Sequence, residues 1–233
     1  MIDVLLAGVG GQGTVLAAKV LAQAAQNKGW QVRTAETIGM AQRGGNVTSH
    51  VRMGSNGEAV FSPLITPGTA DIVIALEPGE AARALPFLAP GGVLVTATTA
   101  IQPVTAALSS QPYRAGDVVA ALANSLQAEV SREQAAEVAI APNAKANTQD
   151  AEAPGVEGYP VPLFVPVDDE ALVREAGASS RKSLNMMLLA VAVAQGRVPL
   201  TIDEMKDAVR ACVKPQFVAM NLAAIDTAIQ AYG

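Results

Sequence analysis

The stretch that most limits how this chain can fold lies at its start. An apolar run, "IDVLLAG", enters the glycines of "GVGGQG" and passes directly into "TVLAAKVLAQAAQNKG". A short apolar run without alternation, then glycines, then a helical period is the pattern of a buried parallel strand feeding a helix, because a strand covered on both faces has no polar side to show. Leu16, Val20 and Ala24 fall on one face of the predicted helix, and Lys28 with Gly29 closes it. "WQVRTAE" reads as a second strand, in which Trp30, Val32 and Thr34 alternate with Gln31 and Arg33. Together these segments open a βαβ unit.

The alternation continues downstream. "ADIVIAL" and "GGVLVTAT" are two further buried strands, and "EPGEAARALPFLAP" between them is a helix with its proline and Glu80 in the first turn, where both suit the exposed amides. "NVTSHVRMG" and "EAVFSPLI" flank Ser55-Asn56-Gly57, and Asn-Gly supplies the positive φ angles of a tight turn, so the two are expected to pair as an antiparallel hairpin. "VPLFVPV" is a strand, "DDEALVREAG" a short helix, and three helical segments finish the chain, the second opened by a capping box of Thr201 and Glu204. From about 127 to 160 turn formers and small polar residues replace the apolar period, which predicts an insertion-like loop. The expected architecture over 1–233 is a single α/β domain: three-layer α/β/α, with a Rossmann-like, mostly parallel sheet made mixed by the antiparallel hairpin, and a helical C-terminus.

Composition excludes several function classes. Half the residues are hydrophobic but only 3% are aromatic, so stacking platforms for single-stranded nucleic acid are not expected. A net charge of −5 with no basic run repels both a phosphate backbone and an anionic membrane surface. One cysteine, Cys212, provides neither an intrachain disulfide nor the ligands of an iron–sulfur cluster. No secretory leader or membrane span is read in the chain, and a cytoplasmic protein is expected.

Two glycine-rich loops define the candidate site. Gly8, Gly10 and Gly13 have the spacing of a dinucleotide-binding fingerprint, and Gly11, Gln12 and Thr14 complete a loop that presents amides at a helix N-terminus. Glu36, at the predicted end of the second strand, stands where a ribose-binding acid would sit, which favours an NAD-dependent dehydrogenase. The same turn also occurs without a ligand, and Gln12 is as able to bond a partner's backbone as a cofactor. The second loop, "GMAQRGG", follows strand two and is expected at the same sheet edge. Gly44 and Gly45 permit close approach and an amide nest, Arg43 offers a planar fork for carboxylate or phosphate, Gln42 adds an amide, and Met40 an adaptable apolar contact. His50, the only histidine, is a candidate acid or base that reads equally as a structural hydrogen-bonding residue.

"GVGGQGTVLAAKVLAQAA", "ETIGMAQRGGNVTSHVRMG", "ADIVIALEPGEAARALPFLAPGG", "KSLNMMLL" and "VKPQFVAMNLAAI" resemble the gamma-type domain of 2-oxoacid:ferredoxin oxidoreductases, and among these the indolepyruvate type, where that domain is a separate beta subunit. The resemblance covers about 1–108 and 161–231, and departs at the insertion-like stretch and at Ala190, where a glycine is expected. It implies a complex in which thiamine diphosphate, iron–sulfur clusters and coenzyme A convert a 2-oxo acid to an acyl-CoA, with ferredoxin taking the electrons. This chain is expected to bind none of those cofactors alone and to depend on a larger thiamine- and cluster-bearing subunit. Gly116-Asp117-Val118 only mimics a thiamine motif, its third position being wrong. The glycine loops then read as a wall closing on the partner's active site, near the anionic end of substrate or coenzyme A. A non-enzymatic nucleotide-sensing α/β module is a further reading.

Overall fold

The computed structural model describes residues 1–39, 45–101, 113–126, 162–177 and 181–233. The opening apolar run forms β1 (Ile2–Val9), buried at every position, and leads through the glycines into α1 (Thr14–Asn27). Next come β2 (Gln31–Ile38), β3 (Asn46–Gly54), β4 (Ala70–Ala75), α2 (Pro78–Ala84) and, after a 3-10 turn at Leu85–Phe87, β5 (Leu88–Ala97). A helix at 115–126, not expected from the sequence, is α3. β6 (Leu163–Val167), α4 (Asp169–Glu175), α5 (Leu184–Ala194), α6 (Ile202–Cys212) and α7 (Pro215–Tyr232) follow.

The strands form one sheet in the order β2-β3-β1-β4-β5-β6. β1, β4, β5 and β6 are parallel, while β3 runs antiparallel to both of its neighbours, β1 and β2. The sheet is therefore mixed as expected, but its hairpin is β2–β3 and not 46–54 with 58–65. The turn at Ser55-Asn56 forms and Gly57 takes φ 81°. β3, however, has a strand on each side and no edge left to offer. "EAVFSPLI" instead crosses the sheet, and its backbone is satisfied by side chains: the Val60 amide donates to Gln31 Oε1 (3.2 Å) and the Val60 carbonyl accepts from Arg33 Nε (3.3 Å). Gly54 permits the fold-back, because a Cβ there would lie 2.0 Å from the Glu58 carbonyl oxygen.

Alternate residues of β1 feed the two faces. Val4 and Leu6 pack with Val20 and Leu21 of α1 and with α5, α6 and α7, while Leu5 and Ala7 pack with α2, α3 and Ile65. The result is three layers, α/β/α. Every residue of α5 except Ala194 is buried, as a helix apolar all round must be. Ala190 is fully enclosed, so the packing accommodates its methyl group. The expected capping box forms: Thr201 Oγ1 accepts from the Glu204 amide (3.1 Å), and Glu204 Oε2 accepts from the Thr201 amide (2.8 Å). Among the described residues no helix is long and apolar enough to cross a membrane. The insertion-like stretch at 127–160 lies outside the described residues.

Candidate functional site at the switch point of the sheet

β1 and β4 are parallel neighbours, yet the chain leaves β1 for a helix on one face and β4 for a helix on the other. Such a switch point opens a crevice beyond the carboxyl ends of the two strands. Two adjoining clefts occupy it, with Val9 and Ile101 as shared walls. One, of about 290 Å³, is lined by Gly10, Gly11, Gln12 and Lys182; the other, of about 610 Å³, is lined by Asn46, Glu77, Arg83 and Tyr113.

The glycine loop is built by close approach. A Cβ on Gly8 would lie 2.7 Å from Thr14 Oγ1 and 3.0 Å from Gln12 Oε1. Gly13 takes φ 85° at the N-cap of α1, and a Cβ there would lie 2.6 Å from Asn185 Nδ2. Gln12 is spent inside the loop: its Oε1 accepts from the Val9 amide (2.5 Å) and its Nε2 donates to the Leu76 carbonyl (2.8 Å). It clamps the ends of β1 and β4 together, and its amide is not the outward-facing contact group that the sequence allowed. Thr14 is buried. α1 has neither a side-chain cap nor an acidic residue in its first turn, and Gly10 and Gly11 are exposed. The dipole end of α1 therefore faces the smaller cleft and suits an anion.

The second loop meets the first. The Gly10 amide donates to the Gly45 carbonyl (2.9 Å), and the Gly39 amide to the Asn46 carbonyl (2.8 Å), so both flanks of "GMAQRGG" stand at the carboxyl edge of β1 and β2. Met40, Gln42, Arg43 and Gly44 lie outside the described residues.

Glu36 and His50 are not brought to this crevice. β3 inserts between β1 and β2, so the end of β2 stands two strand spacings, about 10 Å, from β1 rather than one. Glu36 accordingly lines a separate cleft of about 300 Å³ between α1 and β2, with Lys19 and Gln23. A ribose-binding role beside the glycine loop does not fit that position. His50 pairs with Leu5 in mid-sheet, where its Nδ1 accepts from the Ile65 amide (3.2 Å) and its ring meets Phe87 edge-on at 5.9 Å. Burial lowers its pKa and keeps it neutral. It is a structural residue holding the crossing segment.

Glu77 and Lys182 line the crevice and Asn185 supports its glycine loop, without having been singled out in the sequence. Asn185 Nδ2 donates to the Gly13 carbonyl (3.0 Å), tying α5 to the glycine loop. Glu77 caps α2, its Oε2 accepting from the Glu80 amide (3.0 Å). Burial pushes its pKa up against the pull of the Glu80, Gly79 and Ile101 amides. The available signal was "LEPGE", an acid at a strand end directly before an N1 proline. Gly116-Asp117-Val118 lies in the first turn of α3, where it forms no diphosphate loop.

The sequence matches the family described as pyruvate ferredoxin/flavodoxin oxidoreductase over residues 3–231. It is 30% identical to the indolepyruvate oxidoreductase subunit IorB of Archaeoglobus fulgidus, over 96% of this chain and 92% of that one. The fold is similar to that of the keto/oxoacid ferredoxin oxidoreductase gamma subunit from Geobacter sulfurreducens, at 18% identity and TM-score 0.60, covering 99% of this chain and 97% of that one. It also resembles part of 2-oxoglutarate:ferredoxin oxidoreductase from Magnetococcus marinus, solved with 2-oxoglutarate, coenzyme A and succinyl-CoA bound, at 16% identity and TM-score 0.60, covering 98% of this chain and 30% of that one. A match along nearly its whole length makes this chain a member of the pyruvate ferredoxin/flavodoxin oxidoreductase family, and an oxidoreductase subunit of the 2-oxoacid:ferredoxin kind.

Proposed function

We propose that this chain is the gamma-type subunit of an indolepyruvate-type 2-oxoacid:ferredoxin oxidoreductase, acting as one domain over 1–233 in the cytoplasm and supporting conversion of an aryl 2-oxo acid to its acyl-CoA. The observation that carries the reading is the tether between Gly10 and Gly45, which holds the flank of the second glycine-rich loop against the first at an uncapped helix N-terminus. Such a wall offers backbone amides and a positive dipole end.

The residues fit coenzyme A better than the other cofactors. Coenzyme A supplies the thiol that accepts the acyl group. The amides around Gly10 and Gly11, the first turn of α1 and Lys182 suit its phosphates, with Arg43 as a further anion contact. The chain's part is to hold and orient that anionic portion and to keep water from the crevice. Thiamine diphosphate and iron–sulfur clusters do not fit: a lone Cys212 cannot ligate a cluster, and Gly116-Asp117-Val118 sits in a helix. Those groups belong, in this reading, to a larger partner subunit that passes electrons to ferredoxin.

Co-expression with the candidate thiamine- and cluster-bearing subunit should give a copurifying complex that reduces ferredoxin when supplied with indolepyruvate and coenzyme A. In that complex Arg43→Ala should raise the coenzyme A requirement by about tenfold or more, the worth of a charge-assisted hydrogen bond, while the melting temperature of the chain stays unchanged. Unaltered coenzyme A dependence would count against the wall, and turnover by the isolated chain would overturn the whole reading.

A further inference from the structure

Glu77 is 3% exposed. Its Oε2 caps α2, while Oε1, equally buried, has no hydrogen-bond partner among the described residues. Glu80, also buried, is paired with Arg83. Among its described lining residues, the acidic wall of the 610 Å³ cleft therefore holds two carboxylates and one guanidinium, which is already engaged with Glu80. A buried carboxylate oxygen without a donor costs free energy, and a cation meets it far better than a neutral hydroxyl.

We infer that Glu77 is the receptor for a lysine or arginine side chain supplied by the partner subunit, which enters the cleft beside β4 and pairs with Oε1 when the complex assembles. This rests on the subunit reading above. It makes Glu77 a specificity residue of the interface: charge complementarity at a desolvated position rejects partners that lack the cation and fixes how the subunits dock.

The test compares wild type with Glu77→Gln, which keeps an oxygen for the α2 cap but removes the charge, and with Glu77→Asp, which keeps both cap and charge but withdraws the carboxylate from the cleft. Thermal unfolding of the isolated chain, association with the partner subunit by calorimetry, and coenzyme A affinity of the assembled complex are measured for each. The inference expects Glu77→Gln to melt no lower than wild type, both variants to bind the partner at least tenfold more weakly, and coenzyme A affinity to hold. Undiminished association overturns it, including the case where coenzyme A affinity alone falls, which would assign Glu77 to a small ligand. If wild type itself fails to associate, the subunit reading falls and this inference with it.

Discussion

Gly13 carries the sharpest stability prediction, because two independent costs meet at one atom. In Gly13→Ala the residue must keep φ 85°, a left-handed conformation that costs an L-residue about 1–2 kcal/mol. The new methyl also arrives 2.6 Å from Asn185 Nδ2 and 3.2 Å from its Cγ, closer than real contacts allow. Asn185 must swing away, losing its bond to the Gly13 carbonyl and disturbing the one from the Met186 amide, for roughly 1–2 kcal/mol more. The sum, about 2–4 kcal/mol, corresponds to a fall in Tm of about 4–16 °C for a chain of this length. Far-ultraviolet circular dichroism melts of Gly13→Ala, Asn185→Ala and the double variant separate the two costs. Once Asn185 is truncated, Gly13→Ala should cost only the backbone part, so the cycle should close with a coupling of about 1–2 kcal/mol. An equal cost in both backgrounds refutes the contact, and a Gly13→Ala variant as stable as wild type refutes the backbone argument as well.

Two further outcomes follow from the same structure. Gln12→Ala removes both bonds that clamp the ends of β1 and β4, leaving the buried Val9 amide and the Leu76 carbonyl unmet, and should destabilise the chain by about 2–4 kcal/mol in a urea titration; a loss below about 0.5 kcal/mol, the range of an ordinary surface change, would mean that the clamp is dispensable. His50 has a folded-state pKa below its ordinary value near 6.5, because burial disfavours the imidazolium, so the stability it contributes is present above 6.5 and is lost as pH falls through the window below. Melts of wild type should accordingly drop between neutral and mildly acidic pH, and His50→Asn, which keeps an acceptor for the Ile65 amide but cannot take the proton, should flatten that drop. Identical pH profiles would remove His50 as its source.

How much of this could be seen in the chain itself depends on the range of each interaction. β1, β4 and β5 announce themselves because strands buried on both faces leave unbroken apolar runs, and the Thr201–Glu204 box is complete within four residues. The Asn56-Gly57 turn was read correctly as a turn, but the strand expected after it does not form, since a turn motif says nothing of whether β3 has a free edge. α3, with Gly116 in its first turn, was not expected from the sequence. Glu36 looked like a site residue by its place at a strand end and His50 as the only histidine, and Glu77 did not.

The sequence by itself determined the strand–glycine–helix opening, the apolar segments that form the core, and the crevice edge where two glycine loops would meet, because each is a property of contiguous residues. Only the tertiary structure decided which acid stands at that crevice. Strand order is chosen by the joint burial and hydrogen bonding of segments far apart in the chain, and placing β3 between β1 and β2 moves Glu36 away while the β1–β4 pairing leaves Glu77 at the opening.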